Sequence, residues 1–354
     1  MEFRTIADLE RTIWKNLHRF PPDIQAVVGI PRSGLMAASV VALALNVPLA
    51  DVEGYGEGRI FRSGSTRPVR IVRGGAVPKV LLVDDSVRTG DSMRAARARL
   101  ALARPDIEII TCAVYASPDA THEVDLPLES VATPRLFQWN AMHHSLIGNA
   151  CLDMDGVLCL DPTSTDNDDG PLYEAFLAQV RPLHLPMQRI GAIVTSRLER
   201  YRPLTEQWLE RHGLVYDKLV MLDLPDAATR QRLGIHARFK AEYYRSSDAT
   251  LFIESERQQA ADISQISGKP ALWLSGRVLF QPDRSPDQVV LESMSRIRRD
   301  AVFRLKSTLR RSLGNSRYDW AKRMVRIPLS AARSVSTKGT ATAGSQLGIP
   351  QGGN

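Results

Sequence analysis

Short apolar runs alternate with amphipathic stretches along most of the chain, which predicts strands and helices in turn. In the N-terminal part we expect helices at 6–19, from the turn at 31–34 through Leu45, and at 91–103, and strands at 26–30, 49–53, 80–84 and 107–114. Two prolines, Pro21 and Pro22, close the first helix, and a long loop at 54–78 follows the second strand. Because the strands are joined through helices, they are expected to form a parallel sheet.

The same alternation begins again at residue 150. Strands are expected at 150–153, 190–195, 219–222 and 251–254, and helices at 203–212 and 230–245. The predicted fold class is α/β, with two Rossmann-like doubly wound parallel-sheet domains in tandem followed by a basic amphipathic helical tail. The predicted boundaries are 1–146 and 147–285 for the domains, 286–333 for the tail and 334–354 for a disordered Ser/Thr/Gly-rich end.

Composition indicates the cellular setting. An apolar fraction of 44% in 354 residues is enough for two domain cores. The three cysteines have neither metal-ligand spacing nor the density of a disulfide framework, which fits a reducing compartment. The N-terminus has no apolar signal segment, and no apolar run reaches membrane-spanning length. We therefore expect a cytoplasmic protein.

The net charge of +7 is concentrated in the tail, where residues 296–338 hold thirteen Lys and Arg residues against two aspartates. Apolar residues recur there at helical spacing, opposite the cations. This pattern predicts a helix on an anionic membrane surface, with peripheral contact through 296–330 at the inner membrane face. Packing against the second domain is the main alternative. Nucleic acid is less favoured, because no DNA-binding motif accompanies the charge.

The first chemical motif follows the apolar strand at 80–84. It runs Asp84-Asp85-Ser86-Val87-Arg88-Thr89-Gly90-Asp91-Ser92. Amide groups in a strand-to-helix turn, together with the Thr89 and Ser92 hydroxyls, suit a phosphate, and Gly90 allows close approach of the backbone. Carboxylates at Asp84 and Asp85 suit the vicinal hydroxyls of a ribose. The alternative is an ordinary buried turn with polar capping.

This motif resembles the fingerprint of the type I phosphoribosyltransferases, and the resemblance covers roughly residues 1–145. It implies phosphoribosyl pyrophosphate (PRPP) as donor with Mg²⁺, ribose hydroxyls bound by Asp84 and Asp85, and the 5-phosphate held by Arg88, Thr89, Gly90, Asp91 and Ser92. It also implies a pyrophosphate loop at 29–34, containing Arg32 and Ser33, and a mobile catalytic loop at 54–78. That loop carries Arg59, Arg62, Arg67, Arg70 and Arg73, and a solvated surface loop is its alternative.

Two features depart from the family pattern. Arg88 stands where hypoxanthine-guanine members carry an aspartate that handles the purine, so a 6-oxopurine acceptor is not expected. Asp91 places an acid beside the phosphate turn, without explanation at this stage. The segment 137–144, which contains Trp139 and Asn140, corresponds to the acceptor-binding hood of the family, with a packed interdomain hinge as the alternative.

The second motif, Asp153-Met154-Asp155-Gly156, ends the strand at 150–153. A carboxylate nucleophile paired with a proton-transferring carboxyl suits phosphoryl transfer when Mg²⁺ neutralises the charge. Over about residues 148–285 the chain resembles the haloacid dehalogenase (HAD) superfamily of phosphatases. That resemblance implies catalytic roles for Asp153, Asp155, Thr195 and Lys240, and metal ligation by Asp153, Asp155 and Glu254.

Alternatives remain for parts of this second motif set. A lone Asp-x-Asp-Gly is equally compatible with a loop, and Lys240 with an exposed helix position. Glu256 stands in the fourth motif, Glu-Ser-Glu, where the superfamily has adjacent aspartates, which leaves its role open. The short intervals between motifs predict a small cap or none. The acidic stretch 166–170 is either a solvated loop or part of the entrance to the site.

Together the two motifs predict a bifunctional enzyme that installs ribofuranosyl units from PRPP on a glycan or lipid-linked sugar acceptor. The first domain would transfer the phosphoribosyl group and the second would remove its 5-phosphate. An orotate-like nucleobase phosphoribosyltransferase coupled to a 5-nucleotidase is the alternative enzyme. A PRPP-sensing regulatory protein is the alternative of another class, and it leaves the phosphatase motifs unexplained.

Overall fold

The computed structural model describes residues 1–61, 77–166 and 169–290, and residues Met1–Val289 group into one compact unit. Two sheets follow one another along the chain within this unit. The expected α/β fold with parallel sheets is confirmed. The tail from residue 291 onward and most of the expected mobile loop lie outside the described residues. Within the described ranges, no helix is long and apolar enough to cross a membrane.

The first sheet is built from the N-terminal part of the chain. Its elements and their flanking pieces are β1 (Glu2–Arg4), α1 (Ile6–Lys15), β2 (Ile24–Gly29), α2 (Ser33–Leu45), β3 (Leu49–Asp51), α3 (Val52–Gly56), β4 (Lys79–Val87), α4 (Asp91–Ala103), β5 (Glu108–Ala116), β6 (Leu126–Ser130) and β7 (Arg135–Phe137). The strand order is β3-β2-β4-β5-β6, and all pairs are parallel. A separate parallel pair joins β1 to β7.

The central strand β4 is covered on both faces, which explains its unbroken apolar run at 80–83. Helices α1 and α2 pack on one face, and α3 and α4 contribute to the core on the other. The carboxyl ends of the parallel strands therefore meet at one edge of the sheet, where a doubly wound fold holds its ligands.

Several boundaries differ from the sequence prediction, those of β4 and β3 among them. Strand β4 continues past the expected end at Asp84 to Val87, so Asp85 as well as Asp84 lies within the strand. The strand expected at 49–53 ends at Asp51 because the Asp51 side chain accepts a hydrogen bond from the Gly54 backbone N–H at 2.6 Å and caps α3.

The second sheet begins after residue 149. Its elements and their flanking helices are β8 (Ala150–Leu152), α5 (Pro171–Gln179), β9 (Ile190–Leu198), α6 (Arg202–Arg211), β10 (Tyr216–Leu222), α7 (Ala227–Leu233), α8 (His236–Ser246), β11 (Leu251–Glu254), α9 (Arg257–Ser267), β12 (Ala271–Trp273) and β13 (Val278–Phe280). The order is β10-β9-β8-β11-β12-β13, with only β13 antiparallel to its neighbour among these strands. The single helix expected at 230–245 is two helices, because Gly234 adopts a left-handed conformation (φ +58°) that ends α7.

Residues 136–149, called the connecting segment, lead from the first sheet to the second through two short 3-10 turns. Four buried residues of this segment belong to the core of the second sheet: Leu136, Ala141, Met142 and Ile147. They pack in the same cluster as Leu152 and Ile193 of β8 and β9. The connecting segment is therefore anchored in the core of the second sheet.

Gly191 in β9 gives a test of this close packing. A Cβ atom at this position would lie 2.8 Å from the Gly148 carbonyl oxygen and 3.0 Å from that of Ala150. Both neighbours are backbone atoms, so we expect Gly191→Ala to lower the free energy of unfolding by about 1–3 kcal/mol in urea titrations. Gly148→Ala is the matched control, because its Cβ meets nothing nearer than 3.6 Å. Equal stability of the two variants would contradict the packing described.

Candidate functional site

The first candidate site lies on β4 beside the start of α2, where the pairing of β4 with β2 ends. Asp84 and Asp85 are both buried, and one Asp84 oxygen accepts the Asp85 backbone N–H at 2.9 Å. Gly34 at the start of α2 is packed directly on Asp84, since a Cβ on Gly34 would fall 2.7 Å from that same oxygen. The turn that carries Arg32 and Ser33 is thereby brought against the acidic pair. Arg32 itself is exposed, and Ser33 is half-buried.

The acidic pair has an unusual protonation balance. Burial, followed by the negative charge of Asp85, raises the pKa of Asp84 to about 8. Asp85 has a partner from the connecting segment, because its Oδ2 accepts a hydrogen bond from the Trp139 indole nitrogen at 2.8 Å. Sequence reasoning associated Trp139 with the acceptor and did not connect it with the acidic pair.

The predicted phosphate turn joins β4 to α4. Gly90 has φ +84° and precedes the helix, while Arg88, Thr89 and Ser92 are exposed. Asp91 has partners that explain its presence: it accepts from the Thr89 hydroxyl at 2.6 Å and pairs with Arg94 at 2.5 Å. The hydrogen bond from Thr89, followed by that from Arg94, holds the pKa of Asp91 below its usual value. The Asp91 charge is therefore matched by a neighbouring arginine.

Of the arginines expected in the mobile loop, Arg59 lies within the described residues. It is exposed and pairs with Glu57 at 2.7 Å. The other four, Arg62, Arg67, Arg70 and Arg73, lie outside the described residues.

The second candidate site is formed at the carboxyl ends of β8 and β11, which are adjacent parallel strands. The Lys240 ammonium of α8 donates to Asp153 at 2.7 Å and to Glu254 at 2.8 Å. Lys240 is 2% exposed, so the exposed-helix alternative does not describe it. Burial and then the Glu254 charge raise the pKa of Asp153, while burial lowers the pKa of Lys240 but the two carboxylates outweigh it and raise that pKa overall. These three side chains form one buried charged group.

Asp155 is held by a residue that sequence reasoning missed. Arg197 of β9, whose side chain is fully buried, donates to Asp155 through Nη2 at 2.5 Å and Nε at 3.1 Å. Its backbone N–H also donates to the Thr195 hydroxyl at 3.2 Å. The available signal was position, because residues two apart on a strand lie on the same face, and Arg197 follows Thr195 by two. A bidentate arginine fixes the position of a carboxylate.

The predicted metal ligands are arranged in two groups. Asp153 and Glu254 face Lys240, whereas Asp155 faces Arg197, and across the described ranges no three His, Cys, Asp or Glu residues converge as a metal cluster. The donor chemistry still suits Mg²⁺, because carboxylate oxygens are its usual ligands and the acids of this site outnumber its two cations. Glu256 serves a different purpose, since its carboxylate accepts from the Gln258 and Gln259 backbone N–H groups and caps α9.

The acidic stretch at 166–170 is tied into local structure at both ends. Asp166 accepts the Thr163 backbone N–H at 2.7 Å, and Asp169 accepts hydrogen bonds from Tyr201 and Arg200. Asp169 also accepts from the Ala227 backbone N–H at 3.1 Å, next to the start of α7. Residues 167 and 168 lie outside the described part. Asp169 therefore links this stretch to the short turn just before α6 and to the start of α7.

Comparison with known proteins assigns the first of these regions. Residues 3–145 match the family model described as phosphoribosyl transferase domain. A xanthine-guanine phosphoribosyltransferase from Chromohalobacter salexigens is 35% identical over 132 residues, which cover 34% of this chain and 75% of the relative. Solved structures with similarity include a purine phosphoribosyltransferase from Pyrococcus horikoshii (20% identity, TM-score 0.29) and a xanthine-guanine-hypoxanthine phosphoribosyltransferase from Helicobacter pylori (15%, 0.29). Each covers 39% of this chain and 92% of the solved chain.

The raised pKa of Asp84 predicts a pH dependence of stability in the ligand-free protein. Between the unfolded value near 4 and the folded value of about 8, the folded chain holds a proton that the unfolded chain has lost. Stability is therefore greatest below this window and falls as pH rises through it, by up to about 1.4 kcal/mol per pH unit. Urea titrations from pH 5 to 9 should show that the free energy of unfolding falls with pH in the wild-type protein. This fall should be smaller in Asp84→Asn, because an asparagine stays neutral. If the free energy of unfolding fell equally with pH in Asp84→Asn, Asp84 would not be the group that causes the dependence.

Replacement of Arg197 tests the pairing with Asp155. We expect Arg197→Met to lower the free energy of unfolding by about 3 kcal/mol, because a partly buried carboxylate is left without its cation. Arg238→Met is the control, since Arg238 is 74% exposed and its surface pair with Glu242 adds little to stability. A loss no larger than in this control would show that the pair has no structural importance.

Proposed function

The chain belongs to the phosphoribosyltransferase family through its N-terminal part, and from this premise we propose that it is a bifunctional ribosyl-transferring enzyme. The first site transfers a phosphoribosyl group from PRPP to an acceptor. The second site, formed around Asp153, removes the 5-phosphate from the product. The observation that carries the second step is the buried group of Lys240 between Asp153 and Glu254.

In the first step the protein binds and orients the donor. Asp84 and Asp85 accept hydrogen bonds from the ribose hydroxyls, while the turn from Arg88 to Ser92 at the start of α4 holds the 5-phosphate. Arg32 and Ser33 approach the pyrophosphate, and Arg59 lies at the start of the segment for which a catalytic loop is predicted. Mg²⁺ bound with PRPP would supply positive charge to balance that of the pyrophosphate. Because the transition state resembles an oxocarbenium ion, positioning and charge balance make the main contributions.

In the second step the Asp153 carboxylate attacks phosphorus and forms an acyl phosphate as the P–O bond to the sugar breaks, and water, which gives a proton to Asp155, then hydrolyses the acyl phosphate to inorganic phosphate. Lys240 orients the Asp153 carboxylate and stabilises the charge of the transferring group, and the Thr195 hydroxyl binds that group. Asp155, oriented by Arg197, exchanges a proton with the leaving oxygen. Asp153, Asp155 and Glu254 would hold Mg²⁺, which lowers the repulsion between the nucleophile and the phosphate.

The two reactions fit each other chemically. Transfer from PRPP leaves a phosphate monoester on the product, and a phosphate monoester is the substrate class of an aspartate phosphatase. Removal of that phosphate makes the overall transfer an addition of an unphosphorylated ribofuranosyl group. A single chain with both sites would therefore both form and consume the phosphorylated intermediate.

For the acceptor we propose a sugar hydroxyl of a glycan or a lipid-linked sugar. Support comes from Arg88, which carries a cation where an acid would be expected to handle a purine. The predicted basic tail would bring the enzyme to the inner face of the membrane, with contact through 296–330. That segment lies outside the described residues, and its role stays a prediction.

A nucleobase acceptor is the second candidate function. It is favoured by the 35% identity with a protein named as a xanthine-guanine phosphoribosyltransferase. The aromatic side chain of Trp139, hydrogen-bonded to Asp85, could also stack on a base. In this case the phosphatase site would act on a nucleotide and the overall product would be a nucleoside.

The decisive experiment uses Asp153→Asn, which removes the nucleophile and should stop the second step. The variant is incubated with Mg²⁺, PRPP and either membrane glycolipid extract or a panel of nucleobases that includes xanthine, guanine and orotate, and products are followed by mass spectrometry. We expect a phosphoribosyl increment on glycolipid that accumulates in Asp153→Asn and loses its phosphate when wild-type protein is added. Asp217→Asn, a surface change on β10, is the matched control and should not accumulate the intermediate.

Each other outcome corrects a specific part of the proposal. An increment on a base would establish the nucleobase candidate. A phosphorylated product that wild-type protein leaves unchanged would remove the phosphatase step. No product with either acceptor class would contradict both acceptor proposals.

A further inference from the structure

We propose that Trp139 is a positioning residue for the donor, because its indole N–H holds the Asp85 carboxylate in the orientation that receives the ribose hydroxyls of PRPP. This role rests on the proposed function of the first site. It assigns to the connecting segment a part in donor binding, in addition to any contact with the acceptor.

The contact is a single hydrogen bond from the indole to one oxygen of the carboxylate. Trp139 Nε1 donates to Asp85 Oδ2 at 2.8 Å, and Asp85 is 3% exposed. A carboxylate accepts several hydrogen bonds, so the bond to Trp139 restricts the rotation of the group without using up its capacity to accept from a hydroxyl. Without the indole, this buried carboxylate would lose its side-chain donor and the orientation that the donor imposes.

The indole is held in place by an aromatic stack. Trp139 stacks on Phe137 with ring centroids 4.9 Å apart and 12° between the planes, and Phe137 stacks on Tyr115 of β5 at 5.4 Å and 17°. Phe137 and Tyr115 are buried. Tyr115 lies on β5, the strand next to β4. The stack therefore fixes the position of the indole relative to Asp84 and Asp85 on β4.

The next residues of the chain are fixed from the other side. Ala141 and Met142 are buried in the core of the second sheet. Trp139 thus stands between an aromatic stack on the first sheet and an anchor in the second. A side chain fixed in this way loses little conformational entropy when the donor binds, which is the physical basis of preorganised binding.

A blocking role for the indole would have the opposite effect on donor binding. If the indole occupied the place of a ribose hydroxyl, it would have to leave before PRPP could bind. Removal of the N–H would then strengthen donor binding. A positioning role predicts weaker binding instead, and it predicts that the loss depends on the presence of Asp85.

The experiment is a double-mutant cycle measured by calorimetric titration of PRPP, with Mg²⁺ present, into the full-length protein. The variants are Trp139→Phe, Asp85→Ala and both together, and the control is Trp14→Phe, an exposed position on α1. We expect Trp139→Phe to raise the Kd about tenfold, close to 1.4 kcal/mol. In the Asp85→Ala background the same change should alter the Kd less than twofold, and Trp14→Phe should leave it unchanged.

Trp139→His, which keeps a ring N–H, serves as the second variant and should bind PRPP more tightly than Trp139→Phe. It decides the matter if thermal unfolding shows that Trp139→Phe is not folded. Tighter binding in Trp139→Phe, an unchanged Kd, or an equal loss with and without Asp85 would overturn the positioning role while leaving the donor site intact. Absence of PRPP binding by the wild-type protein would instead remove the proposed function, and the positioning role with it.

Discussion

Burial of acidic side chains at the carboxyl edges of two parallel sheets is the constraint on which the rest of this structure depends. A carboxylate removed from water costs several kcal/mol unless a partner compensates it. Asp153 and Glu254 reach Lys240 only because β8 and β11 are adjacent and parallel and α8 passes over their ends. Asp85 reaches its indole donor only because the chain returns to β4 after β7. In both sheets, elements distant in sequence are positioned by the need to satisfy these acids.

The two acidic groups are compensated in different ways. In the second sheet an ammonium and a guanidinium balance the acids, through Lys240 and Arg197. In the first sheet the hydrogen-bond partners are a neutral indole and a backbone amide, and burial together with the Asp85 charge raises the pKa of Asp84. A neutral environment suits acceptors of hydroxyl hydrogen bonds, whereas a cationic one suits chemistry on a phosphate. The difference in partners therefore matches the different ligands proposed for the two sites.

Much of the fold follows from the alternation of apolar runs and amphipathic stretches, and motif spacing identified the acids of both sites. The ends of individual elements were harder to predict. The end of β3 depends on one hydrogen bond from the Gly54 backbone N–H to Asp51. The break between α7 and α8 depends on the left-handed conformation of Gly234. Long-range pairings were harder still. Nothing local to Arg197 or Trp139 indicates that these residues contact Asp155 and Asp85, which are 42 and 54 positions away. Their partners are decided by strand order and by the path of the connecting segment.

The path of the connecting segment also affects how the two halves of the chain behave when they are separated or unfolded. Leu136, Ala141 and Met142 belong by sequence to the first half and by packing to the second core. A fragment cut near residue 146 would expose this apolar strip to water and would tend to associate through it. The two halves are therefore not interchangeable modules joined by a tether. They share hydrophobic surface, so that denaturation of one half should weaken the other and bring the two transitions toward a single cooperative one.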